Sequence, residues 1–138
     1  MLSVKKTAGG TGYGPPFVNM LGLQQIVVDV SALTIDEVDA DGYLKPGVAF
    51  RKDGILITGT TSSDYIYAVN PEPQYLHLAT IPPTNISLAA DTSTVPLGMG
   101  TIGEINRDVA EDNMGRAYTA NELAAFDRAG SHISLTRT

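Results

Sequence analysis

Apolar and polar residues fall into short runs along this chain, broken every few positions by glycine, proline or an Asp-Gly pair. The first well-patterned run is Gln24–Val30, QQIVVDV, whose β-branched residues predict a strand. Leu33–Gly42 follows with acids at Asp36, Glu37, Asp39 and Asp41. Thr34 and Glu37 also have capping-box spacing, which would allow a short helix over Leu33–Val38. Tyr43–Leu44, the Pro46–Gly47 turn signal and Val48–Phe50 come next, then Asp53–Gly54 and Ile55–Thr58. Two short apolar runs around an Asp-Gly pair predict a β-hairpin.

Tyr65–Val69 reads as a strand, and Asn70–Pro73 as a rigid turn. Tyr75–Ile81 alternates in part until Pro82–Pro83 stops it. Leu88–Val95 is small and polar and reads as a loop, and Thr101–Ile105 is strand-like. One helix stands out: Thr119-Ala-Asn-Glu122 matches a capping box, Leu123–Phe126 follows, and Gly130 is placed as its C′ glycine. Ser131–Thr136 alternates like a closing strand. The pattern predicts a mainly β fold: one small barrel-like or sandwich-like domain over residues 19–138 with a short C-terminal helix.

Residues 1–18 differ in kind. Thr7–Pro16 is dominated by glycine and proline, which predicts a flexible N-terminal arm. Tyr13 and Phe17, with Pro15 and Pro16 between them, are the expected partner-binding residues of that arm.

The chain has 138 residues, enough for one core, and only 17% are charged. So uncharged a surface suits contact with a partner. The net charge of −6 argues against nucleic acid and against anionic membranes. There is no cysteine, so disulfides and thiolate metal sites are excluded. Glycine and proline stand where a signal peptide needs an apolar run, and no run approaches a membrane span, so the cytoplasm is the expected compartment of synthesis.

Each candidate for chemistry has a structural explanation. Glycines 10, 12 and 14 lack the strand, spacing and helix of a dinucleotide loop, and no Gly-Lys-Ser/Thr follows. Glu37, Asp39, Asp41 and Gly42 mimic a calcium loop, but its twelfth position is Val48, so a solvated acidic turn is expected. Glu104, Asp108, Glu111 and Asp112 read as a charged loop or helix face, with Arg107 and Arg116 as counter-charges. His77 and His132 are isolated in strand-like segments, without a G-x-S-x-G or H-E-x-x-H motif. The Asn85-Ile86-Ser87 sequon carries no weight without a secretion signal. A protein without catalysis or cofactor is expected.

Val38-Asp39-Ala40-Asp41-Gly42-Tyr43-Leu44-Lys45-Pro46-Gly47-Val48, with Lys52-Asp53-Gly54, resembles a segment of tailed-phage head decoration proteins. Val95-Pro96-Leu97-Gly98 and Thr101–Ile105 resemble a later turn and strand of that family. The likeness covers about a third of the chain. It implies a β-rich cement protein, commonly trimeric, on the outside of the mature head. Such proteins bridge neighbouring major capsid subunits and resist the pressure of packaged DNA, and in several the N-terminal arm orders only on the shell. Two other readings stay open. One is a different phage structural part: a head fibre, head-completion or minor coat protein. The other is a small enzyme or ligand-binding barrel, which predicts a pocket joining His77 or His132 to the acids.

Overall fold

A computed structural model describes residues 12–57 and 64–136. Among these residues the fold is mainly β with two α-helices. Its strands are β1 (Phe17–Asp29), β2 (Tyr43–Leu44), β3 (Ala49–Phe50), β4 (Ala68–Val69), β5 (Gln74–Tyr75), β6 (Thr94–Asn106) and β7 (Ile133–Thr136). The helices α1 (Arg107–Met114) and α2 (Ala120–Phe126) lie between β6 and β7.

The main sheet runs β1-β6-β4-β3, and β7 pairs in parallel with β6. β2 and β5 form a separate ribbon. The sheet does not close into a barrel. The antiparallel β1–β6 pair is its backbone, from Phe17 opposite Ile105 to Asp29 opposite Thr94. Its register is regular from Leu23 onward and shifts three times between Phe17 and Leu23, as β-bulges do. In the regular half, side chains alternate: Ile26 and Val28 are buried, and Leu23 and Val27 point to the opposite face. Below the sheet, Val30, Leu33, Leu44, Phe50, Ile66 and Met99 share one core.

The predicted hairpin is present in shortened form. Phe50 bridges Leu56, the Arg51 amide donates to the Ile55 carbonyl at 2.9 Å, and the Gly54 amide donates to the Arg51 carbonyl. Thr58 lies outside the described residues. Leu33–Val38 forms a turn and not a helix: the Glu37 carboxylate accepts from the Thr34 amide and hydroxyl, satisfying the cap without a helix behind it. The strand expected over Tyr75–Ile81 is only β5, and β6 takes in both resembling segments as one strand.

α2 has the expected capping box in full, with Thr119 and Glu122 each bonded to the other's backbone amide. It ends earlier than expected, at Asp127, and Gly130 does other work. A Cβ at Gly130 would lie 2.7 Å from the Tyr65 ring, so the glycine makes room for that aromatic. α1 is the second helix: Asn106 caps it by accepting from the Asp108 and Val109 amides, and Gly115 closes it at φ 71°.

The described part of the arm expected over residues 1–18 is not free of the domain. Residues 1–11 lie outside the described residues, but Gly12–Phe17 is tied down. The Gly14 amide donates to Asn113 Oδ1 at 3.0 Å, and Asn113 Nδ2 returns a bond to the Gly14 carbonyl at 2.7 Å. The Asn106 amide donates to the Pro16 carbonyl, and β1 begins at Phe17. A truncation that spares the fold therefore stops before Gly12. Asn113→Ala removes both bonds to a buried backbone unit and is expected to cost roughly 1–3 kcal/mol, with faster hydrogen exchange at the Gly14 amide. Unchanged exchange there would show that the tie does not hold the segment.

Candidate interaction face

An uncharged face lines the β1 edge of the sheet. Phe17–Val28 contains no charged side chain, and neither does Thr94–Gly103 across from it. Leu21 and Leu23 are 71% and 66% exposed, and Val18, Val27 and Ile102 are also open to solvent. Single exposed apolar residues are ordinary, but a run of them without charge marks a contact surface.

Beside this run lies a groove of about 420 Å³. Pro15, Phe17, Met20 and Leu23 form one wall. Pro71, Glu72 and Gln74 contribute the other side, and Gly98 completes the lining. The Gln74 Nε2 donates to the Gly98 carbonyl at 2.8 Å and to Asn70 Oδ1 at 2.7 Å, which spends both of its hydrogens. Gly100 explains how Phe17 and Met20 lie flat: a Cβ there would fall 2.3 Å from Phe17 Cζ and 2.9 Å from Met20 Sδ.

The four expected partner-binding residues are divided. Pro15 and Phe17 line the groove, whereas Pro16 is buried in the fold. The Tyr13 hydroxyl is used internally, donating to Asp39 Oδ2 at 2.8 Å. Met20 and Leu23 were not legible as contact residues, because the pattern did not carry the strand back to Phe17. The available signal was the absence of charge from Phe17 to Val28.

The acids at 36–41 form a solvated turn only in part, with Asp36 exposed and Asp41 half-buried. Glu37 and Asp39 are buried. Asp39 Oδ1 accepts from the Asp41 and Tyr43 amides, at 2.9 and 3.1 Å, and so shapes the turn into β2. Arg116, expected as a counter-charge of the second acidic cluster, pairs with acids outside it. It bonds Glu122 at 2.9 Å and lies 3.5 Å from Glu37, joining two carboxylates that are almost wholly buried. Burial works against the Arg116 charge, but its hydrogen bond to Glu122 and the two carboxylate charges hold its pKa above the usual value. In α1, Arg107 pairs with Glu111 at 3.0 Å, and Glu111 also accepts from the Tyr118 amide.

His77 is exposed and stacks edge-on against Tyr75, with ring centroids 4.7 Å apart, and Tyr75 in turn meets Tyr43. His132 lines a separate surface depression with Asp127 and Arg128. Among the described residues no group of three or more His, Asp or Glu is placed to hold a metal ion, and no helix is long and apolar enough to cross a membrane.

Two phenols make the fold sensitive to high pH. Burial, with the Asp39 hydrogen bond and charge, raises the Tyr13 pKa well above 10.0. Burial first, then Glu122, raises that of Tyr118, whose hydroxyl donates to the Gly47 carbonyl at 2.6 Å. Above pH about 10 the unfolded chain loses these protons while the folded one keeps them. Stability is therefore complete below that pH and declines as pH rises past it. In urea titrations at pH 8 to 11, Tyr13→Phe with Tyr118→Phe is expected to flatten the decline. An equal slope in both proteins would remove these phenols as its cause.

No family model, curated protein or solved structure matches this chain.

Proposed function

We propose that this protein is a non-catalytic capsid decoration protein that binds the outside of a mature phage head and cements neighbouring major capsid subunits. The observation that carries the reading is the uncharged, solvent-exposed β1 edge with its apolar groove. A soluble fold gains nothing from leaving Leu21 and Leu23 in water, whereas a protein that spends its working life against a shell does. The resemblance of Val38–Val48 and Lys52–Gly54 to head decoration proteins supports reading that shell as a phage head. The chain's net charge of −6 suits the outside of a particle that must not self-associate. As a homotrimer the protein would present this face three times, which multiplies weak contacts.

The test is mass determination of the purified protein, alone and mixed with expanded capsids that lack decoration. Saturable binding near one copy per major capsid subunit is expected. A protein that ignores such capsids refutes the reading. Leu21→Ser combined with Leu23→Ser removes exposed side chains only. It is expected to keep the urea midpoint and weaken capsid binding by about tenfold or more.

A further inference from the structure

We infer that the groove between β1 and the Pro71–Gln74 turn takes an extended protein segment whose apolar side chains stand next to a lysine or arginine. The inference rests on the decoration reading only for the identity of the partner as a shell subunit.

The lining decides the chemistry of the occupant. One wall is Pro15, Phe17, Met20 and Leu23, which offers apolar surface and no side-chain hydrogen bond. On the other wall Gln74 has no donor left, since both Nε2 hydrogens are spent within the fold. Glu72 is exposed at the surface and is the one charged residue of the lining. The groove thus presents apolar surface and an acidic acceptor, a combination that favours an apolar side chain followed by a cation and disfavours an acidic one. A protein segment fits better than a small molecule. The uncharged β1 edge extends beyond the groove through Gln24 and Gln25 to exposed Val27, farther than a compact ligand would reach.

Gly98 allows the groove to be filled without disturbing the fold. A Cβ there would meet only Leu23 Cδ1, at 3.8 Å, an ordinary contact. Gly98→Val therefore places a side chain where the occupant belongs, while the bond from Gln74 goes to the Gly98 carbonyl and is retained.

The experiment is an NMR titration of the full chain with the capped peptide acetyl-Lys-Ile-Val-amide at millimolar concentration. Acetyl-Glu-Ile-Val-amide is the control, and capsid binding is measured alongside. The lysine peptide is expected to shift the amides of Leu23, Gln74 and Gly98, and the glutamate peptide to leave them in place. Gly98→Val and Glu72→Lys should abolish the shifts and weaken capsid binding by about tenfold or more. Urea midpoints for both variants should match the parent.

Shifts that occur while the parent ignores capsids would end the decoration reading and leave this inference standing. Capsid binding that survives Gly98→Val, with no shifts from either peptide, would end this inference and leave the decoration reading. Self-association that Gly98→Val abolishes would make a second copy of the chain the occupant and overturn the inference as well.

Discussion

Arg116→Met is expected to destabilise the fold by about 3–5 kcal/mol, the cost of stranding buried charge. Glu122 is 2% exposed and Glu37 5%, and Arg116 is the cation between them. Without it, two carboxylates remain in the interior with only part of their hydrogen-bonding met by Thr34, Thr119 and their backbone. The damage spreads, because these acids hold the turn before β2 and the start of α2. Urea denaturation gives the size of the loss. The decisive comparison is Arg116→Met with Glu37→Gln and Glu122→Gln, which removes the stranded charge and should recover much of it. A loss below about 1 kcal/mol for Arg116→Met alone would mean that water reaches the carboxylates and that the pair behaves like a surface one.

Gly54→Ala is expected to cost upward of about 3 kcal/mol, at the high end for one added methyl group. Two effects combine. The residue sits at φ +81°, where a Cβ alone costs about 1–2 kcal/mol. The new carbon would also lie 1.8 Å from the Val27 carbonyl oxygen, which is backbone and cannot rotate away. The turn would have to lift off β1 and break the bond from the Asp29 amide to the Gly54 carbonyl. Gly115→Ala is the internal control: its φ is +71°, but nothing lies within 4 Å of its Cβ. It should show the conformational cost alone, about 1–2 kcal/mol. Equal losses at the two sites would refute the close approach of the turn to β1. Faster hydrogen exchange at Asp29 in Gly54→Ala would support it.

Legibility from sequence followed the range of the interaction. Local chemistry was plain: the Thr119–Glu122 box and the Asp53–Gly54 turn depend on neighbours in the chain, and both are present. The mainly β character followed from turn spacing. What stayed hidden depended on distant partners. Phe17–Leu23 contains Asn19 and Gly22 and shifts register against β6, so its period of two is lost and only pairing reveals the strand. Glu37 and Asp39 looked like solvent acids because Arg116 and Tyr13 lie far off in sequence. α1 could have been found, since Asn106 and Gly115 bracket Val109, Ala110 and Met114 as a capped helix requires. Three acids between those caps, Asp108, Glu111 and Asp112, read as a charged face instead. The candidate groove was legible only in part, through Pro15 and Phe17, because Pro71, Glu72 and Gln74 join it by folding.

The pairing of β1 with β6 also sets the order in which the protein can be made. Asp29 meets Thr94 and Phe17 meets Ile105, so on the ribosome β1 waits for most of the domain to emerge. Such non-local antiparallel pairing folds in about milliseconds to seconds, slower than helical domains. Throughout that wait the charge-free stretch Phe17–Val28 is unpaired and open to other nascent copies. Aggregation during rapid overexpression, relieved by slower synthesis at low temperature, is the outcome this topology dictates.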